Sequence, residues 1–344
     1  MLQLNSRLRR CAVCTLAATA LIFSACGSTA GSAALPEETE APVEVTPAAP
    51  EDLRAITLTG GEVVSWSCGI PFDEPGYCAC GTDGADATTR VTVTGEVDCM
   101  TPGDYELEYR MPCGAGEALC VTRTVRVEPV ALPEPTTREN VIYLTFDDGP
   151  CANTQQLLDV LDRYGAKATF FVVANERNPY LAELLPKIKA AGHTIGIHAE
   201  NHDYDTLYSS SACYLADLAS ARQRVYELTG EYASLCRFPG GSTTAYHKLN
   251  NREDGAWDTV TAQLERMGMQ YFDWNVSPEN SVNSAASSVS AVACYAPRYD
   301  VPVTLQHDTR LYSVKAVEPI LQWGAEHGYE FCALDTSVPA VHAY

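Results

Sequence analysis

From residue 139 onward, short apolar runs alternate with stretches of helical periodicity, and this alternation narrows the possible folds more than any other feature. Val141-Ile142-Tyr143-Leu144 reads as a buried strand, and 153–164 repeats Leu157, Leu158, Leu161 and Tyr164 at helical spacing. Ala168-Thr169-Phe170-Phe171-Val172-Val173 is a strand, 180–191 a helix, and Thr194-Ile195-Gly196-Ile197 a strand. Helices at 211–228 and 257–267, a strand at 270–276, a strand at Val303-Thr304-Leu305 and a helix at 314–327 follow. Strands joined through helices run parallel, because the crossover returns the chain to the same end of the sheet. An α/β fold with a parallel sheet follows, and its chemistry belongs at the ends of the strands.

The region before it has another texture. Within 53–129, Arg90-Val91-Thr92-Val93-Thr94, Tyr105-Glu106-Leu107-Glu108-Tyr109 and Thr122-Arg123-Thr124-Val125-Arg126-Val127 alternate polar with apolar residues. Period-2 alternation between Gly, Pro and Asp turns predicts half-buried antiparallel strands and a small β-sandwich. Residues 130–138, with Pro133 and Pro135, read as a short linker to a catalytic domain at 139–344. Residues 27–52 hold almost no large apolar side chain, so they predict a disordered tether.

The first 26 residues place Arg7, Arg9 and Arg10 before an apolar run from Ala12 to Phe23, then Ser24-Ala25-Cys26-Gly27. That order is a secretory signal, and the apolar run is short for a membrane span. Its loss removes three arginines and no acid, so the net charge of −21 becomes −24. A surface this acidic repels nucleic acid. Six of the 14 cysteines (Cys68, Cys78, Cys80, Cys99, Cys113, Cys120) crowd the β-rich segment, which favours disulfides outside the cytoplasm. Cys151, Cys213, Cys236, Cys294 and Cys332 lack metal-binding spacing and read mainly as small buried residues.

Four motifs carry chemistry. Thr145-Phe146-Asp147-Asp148-Gly149-Pro150 sets two adjacent carboxylates at the mouth of a strand, where close acids can take different roles. His198-Ala199-Glu200-Asn201-His202 offers two imidazoles, and with Asp148 they form an N,N,O set that suits a borderline divalent metal with open positions for water and substrate. Asp147 is left as a general base. Arg237-Phe238-Pro239-Gly240-Gly241-Ser242 supplies a guanidinium fork that can hold a carboxylate, and a glycine amide that can approach an oxyanion. Leu305-Gln306-His307-Asp308 ends a strand on a candidate acid, while His193 reads as structural.

Taken in order, these segments resemble the polysaccharide deacetylase family (carbohydrate esterase family four, with the nodulation-deacetylase homology domain). Lys167-Ala168-Thr169-Phe170-Phe171, Gly192-His193-Thr194-Ile195-Gly196 and Gly328-Tyr329-Glu330-Phe331 agree with it, so the resemblance covers 139–340. It implies a distorted β/α barrel and a metal-dependent hydrolase that removes acetyl groups from sugars. By the same resemblance Asp147 is base, and Asp148, His198 and His202 hold a divalent metal, usually Zn2+. His307 is general acid, Arg237 orients Asp147, and the Gly240 amide helps hold the oxyanion. The segment 53–129, with Pro75-Gly76-Tyr77 and Pro102 to Tyr105, resembles bacterial immunoglobulin-like modules. Ser24-Ala25-Cys26 resembles a lipobox with Phe23 where Leu is usual, which implies a lipid on Cys26 and an extracytoplasmic, membrane-anchored bacterial protein.

Two departures bear on activity. Ala199 stands where relatives often carry Ser or Thr. The remaining family motif, an Asp that tunes the acid histidine beside a Trp, falls on Asp273-Trp274 or, aligned through Trp274-Asn275-Val276, on Asn280-Ser281. Spacing to His307 favours the second, which leaves the acid without its carboxylate and makes it a poorer acid at neutral pH. Peptidoglycan N-acetylglucosamine leads the candidate substrates. The alternatives are a non-catalytic glycan binder on this fold, an O-acetyl esterase on another polysaccharide, and, more distantly, a non-haem iron oxygenase.

Overall fold

The computed structural model describes residues 54–114, 116–279 and 283–344. The signal at 1–26 with Cys26, the tether at 27–52, and Asn280 and Ser281 lie outside the described residues.

The β-rich segment builds β1 (Ala55–Leu58), β2 (Val63–Ser67), β3 (Tyr77–Cys80), β4 (Thr92–Thr94), β5 (Gly103–Gly114) and β6 (Glu117–Glu128). β1 pairs with β3, and the other four form a sheet in the order β2-β6-β5-β4. Alternation does set the buried face: Leu107, Tyr109 and Met111 of β5 meet Val125 and Val127 of β6 in the core. It does not set direction, and β2 lies parallel to β6 where an antiparallel partner was predicted.

The second part begins with β7 (Val141–Ile142) and β8 (Leu144–Asp147), then α1 (Thr154–Arg163), β9 (Ala168–Val173), α2 (Leu181–Ala190) and β10 (Thr194–Ala199). It continues through α3 (Tyr204–Leu207), α4 (Ser211–Thr229), β11 (Leu235–Cys236), α5 (Gly241–Asn250), α6 (Ala256–Arg266) and β12 (Gln270–Tyr271). It closes with α7 (Ala285–Tyr295), β13 (Gln306–His307), α8 (Leu311–Glu326) and β14 (Glu330–Phe331). Six strands form one parallel sheet in the order β12-β11-β10-β9-β8-β13. A bridge from Val276 to Thr304 joins the chain just past β12 to the chain just before β13 and draws the two edges into a ring.

Side chains on a strand alternate between faces. Leu144 and Phe146 of β8 therefore pack outward with Phe170 and Val172 under the helices. Tyr143, by contrast, faces a small apolar cluster with Phe171, Leu235, Phe272 and Leu334 that fills the ring. The period carries Thr145 and Asp147 to that inner face. Helix ends follow local chemistry: Ser210 caps α4 by accepting from Cys213 N, and Gly230 ends it at φ +73°.

Departures from the predicted elements have local causes. β12 stops at Tyr271 because the carbonyls of Phe272 and Asp273 turn to the Arg237 side chain. The last inner strand pairs at Gln306–His307, with single bridges at Val303 and Thr304. α7, an Ala/Ser segment with weak periodicity, went unpredicted and rests on a capping box between Ser284 and Ser287.

The described residues form one compact unit. Arg222 of α4, buried, donates to the carbonyls of Ala233 (2.8 Å) and Gly69 (2.6 Å), and Gln263 of α6 donates to Met100 O at 2.8 Å. The segment predicted as a linker is pinned at Val130 N to Arg266 O (3.0 Å) and at Thr136 N to Ser337 O (2.7 Å). Among the described residues no helix is long and apolar enough to cross a membrane.

Candidate active site

β8 delivers the two adjacent acids into different surroundings. Asp147 ends the strand with its side chain in the ring interior, and it is buried. Asp148 takes a left-handed φ of +71°, a costly conformation for a residue with a Cβ, and this turns its carboxylate toward the mouth. There Oδ1 lies 3.5 Å from His198 Nε2 and 3.4 Å from His202 Nε2, while Oδ2 lies 3.7 Å from His307 Nε2.

Asp148, His198 and His202 thus come together with one ligand atom from each within 4.8 Å of the others. Two features suit a cation. Asp148 Oδ1 is buried with no hydrogen-bond partner among the described residues, which is costly for an oxygen that nothing binds. His198 turns Nδ1 to the Arg237 carbonyl at 2.8 Å, so Nε2 is the nitrogen left to face Asp148. Burial pushes the His198 imidazole down to about 3 against the pull of Asp148, so it stays neutral with a lone pair to give. This chain therefore holds a possible metal site of two imidazoles and a carboxylate.

Arg237 follows β11 and is fully buried. Its Nε donates to Phe272 O (2.9 Å) and Nη2 to Asp273 O (2.9 Å), while Nη1 donates to Thr145 Oγ1 (2.6 Å) and Asp147 Oδ1 (2.8 Å). Its guanidinium carbon stands 4.2 Å from the Phe171 ring centroid. Burial raises the Asp147 carboxyl above its usual range, and the Arg237 charge opposes the rise. An acid so placed accepts a proton more readily than an exposed aspartate does.

The loop after Arg237 is held from below. Gly240 (φ +78°) and Gly241 (φ +82°) make its turn. Among the described residues the Gly240 amide donates to nothing. Asp273 accepts from Ser242 N (2.8 Å), Ser242 Oγ and Ala343 N (2.7 Å). Tyr344 N donates to Ser242 Oγ at 3.0 Å, and its ring stacks on Tyr246 at 3.7 Å. Asp273 is therefore committed to this loop and does not touch His307.

His307 has a carboxylate after all, from Glu279, one residue before the position favoured by alignment. Glu279 Oε2 meets His307 Nδ1 at 2.6 Å, and Oε1 accepts His307 N at 2.6 Å. Arg310 Nη1 in turn donates to Glu279 Oε2 at 2.6 Å. Burial lowers the His307 imidazole, but the Glu279 hydrogen bond and charge, with Asp147 and Asp148 behind them, raise it on balance. The expectation of an acid histidine without a tuning carboxylate is thereby corrected. The one sequence signal was an acid next to Asn280, 28 residues before His307, and loop register is not fixed by periodicity.

Other predicted positions resolve as follows. His193 is buried and its Nδ1 accepts from Ala168 N at 3.2 Å; burial pushes it down to about 4, as a structural histidine requires. Ala199 leaves its loop no hydroxyl, and the Asp217 carboxylate accepts from Glu200 N and Asn201 N at 2.8 Å each. Asp308 is buried beside Thr154, and burial pushes its carboxyl up to about 6.

A parallel ring with acids, imidazoles and a clamped arginine at the ends of its strands defines a metal-site hydrolase of the β/α-barrel class. The polysaccharide deacetylase family model matches residues 134–256, and the model for Ig-like domains of bacterial surface proteins matches 56–127. A peptidoglycan-N-acetylglucosamine deacetylase of Bacillus cereus is 32% identical over 196 residues, 56% of this chain and 68% of that protein. A peptidoglycan-N-acetylglucosamine deacetylase of Listeria monocytogenes is 29% identical over 212 residues, 60% of this chain and 41% of its own length. The catalytic domain of the Eubacterium rectale peptidoglycan N-acetylglucosamine deacetylase superposes with a TM-score of 0.56 at 37% identity, over 62% of this chain and 96% of that domain. The chain belongs to the polysaccharide deacetylase family.

Proposed function

We propose that this protein hydrolyses N-acetyl groups on cell-wall peptidoglycan, releasing acetate and leaving glucosamine. The observation that carries the reading is the pair Asp147–Asp148: one acid buried against Arg237, the next turned out to face two imidazoles with an oxygen that has no hydrogen-bond partner among the described residues.

Asp148, His198 and His202 would hold the metal, and Zn2+ suits this donor set best. A bound divalent cation supplies Lewis acidity to the acetyl oxygen and to water. Asp147 takes the proton of the attacking water, with Arg237 fixing the carboxylate in one orientation. The Gly240 amide, which has no other partner among the described residues, donates to the acyl oxygen as it gains charge. His307, protonated and oriented by Glu279, gives its proton to the departing sugar nitrogen. The C–N bond breaks, acetate keeps the water oxygen, and the amine remains on the polymer.

The relatives' names support peptidoglycan N-acetylglucosamine as substrate. The reading as a non-catalytic glycan binder rested on a missing carboxylate at His307, and Glu279 removes that ground. Domain limits of 53–129 and 139–344 accompany this proposal. So do a signal at 1–26, a lipid on Cys26 and an anchored position outside the cell membrane, which the lipobox-like residues support.

The test is Asp148→Ala on purified enzyme with peptidoglycan fragments. Wild type should remove ~42 Da per sugar by mass spectrometry, one acetyl exchanged for hydrogen. The variant should lose bound metal and acetate release together, and retained activity would reject the assignment.

A further inference from the structure

Two tyrosines one helical turn apart approach the Arg237–Ser242 loop, and among the described residues only one of their hydroxyls has a hydrogen-bond partner. Asp203 starts the short helix by accepting from Thr206 N at 2.9 Å, which fixes Tyr204 and Tyr208 in place. Tyr208 is fully buried, and its hydroxyl donates to Pro239 O at 2.8 Å. Tyr204 reaches the next residue of the loop. A Cβ on Gly240 would lie 2.9 Å from the Tyr204 hydroxyl oxygen and 3.1 Å from its Cε2. The glycine is what lets the phenol come so close to the loop backbone.

That hydroxyl has no hydrogen-bond partner among the described residues, and neither has the Gly240 amide beside it. The ring is held on its other sides: 5.3 Å from the His202 ring, 5.9 Å from Tyr208, and 5.8 Å from the Lys248 ammonium. Side and main chain thus present two unused donors at one spot, next to a proposed metal ligand. Two donors converging on one point is the arrangement that stabilises an oxygen on which charge develops.

We propose that Tyr204 is a further catalytic residue whose hydroxyl donates to the acetyl oxygen alongside the Gly240 amide. The proposal rests on the deacetylase reading and adds to it a donor that none of the four sequence motifs contains. It also gives Gly240 a second reason to be glycine: a Cβ there would displace the phenol.

Tyr204→Phe removes one oxygen and keeps the ring contacts, so the fold should persist. The metal-loaded full chain is assayed for acetate release from an N-acetylglucosamine tetramer, with metal content and melting temperature measured on the same samples. The expected result is a kcat lower by about 10²-fold, the usual loss for one oxyanion donor, with KM, metal content and melting temperature close to wild type. A kcat within twofold of wild type would overturn the proposal, and so would a raised KM at unchanged kcat, which would put the hydroxyl on the bound sugar. If wild type itself releases no acetate, the deacetylase reading falls first and this proposal with it.

Discussion

The base and the acid sit in register on neighbouring strands, and the supports that flank each are built differently. On the base flank, Arg237 is fully buried and spends its donors on two carbonyls, a threonine hydroxyl and Asp147. On the acid flank, Glu279 is buried but its second partner, Arg310, has a side chain 46% exposed to solvent. The first flank is dry and over-determined, and the second opens to water. A buried charge deprived of its partner has nowhere to relax, whereas a wetted one is screened. Damage to the base flank should therefore cost fold and rate together, and damage to the acid flank should mainly retune pH dependence.

The sharpest break is Asp147→Asn, which should lower kcat by about 10³-fold while metal content holds, since a positioned base contributes ~10²–10⁴. Loss of metal in that variant would show that the two neighbouring acids do not have separate roles. Arg237→Met comes next. It leaves Asp147 buried and unpaired, so it should destabilise the protein by about 3–5 kcal/mol in denaturant melts and lower kcat as well. A melt that matches wild type would mean the flank is wetter than it looks.

Glu279→Gln should act less on rate than on its pH profile. His307 must be protonated to act as acid, so activity falls as pH rises through its raised pKa. Removing the carboxylate lowers that pKa, and the alkaline limb of kcat/KM should move to lower pH with little change on its acidic side. An unmoved limb would separate Glu279 from proton transfer. The smallest effect belongs to Arg310→Gln: a loss of a few fold that added salt reproduces in wild type, because salt screens an exposed partner. A salt-independent loss would move Arg310 to the dry side of the comparison.

Much of the site was legible in sequence because its residues sit directly at strand ends. Tyr143, Thr145 and Asp147 share a face by period 2, and that alone aims the base inward. Asp148, His198, His202, Arg237 and His307 lie in motifs whose spacing survives any reasonable register. Glu279 was missed because the chain after Val276 leaves strand pairing, and a loop lets a neighbour one residue away take over a contact. Tyr204 was missed because its position depends on a four-residue helix with no hydrophobic period to announce it. Asp273, offered by the alignment that spacing disfavoured, pairs instead with Ser242 and Ala343, 31 and 70 residues away, which no local pattern encodes. The parallel pairing of β2 was hidden for the same reason.

The seam between the β-rich module and the barrel has one more consequence. Its anchors in the barrel are Arg222 of α4 and Gln263 and Arg266 at the end of α6, just before β12, whereas Asp148, Arg237 and His307 come at or after the far ends of their strands. The module thus packs against α4 and the end of α6, away from the strand ends that carry the acids and imidazoles. Tilting the mouth toward a glycan strand means tilting the module with it.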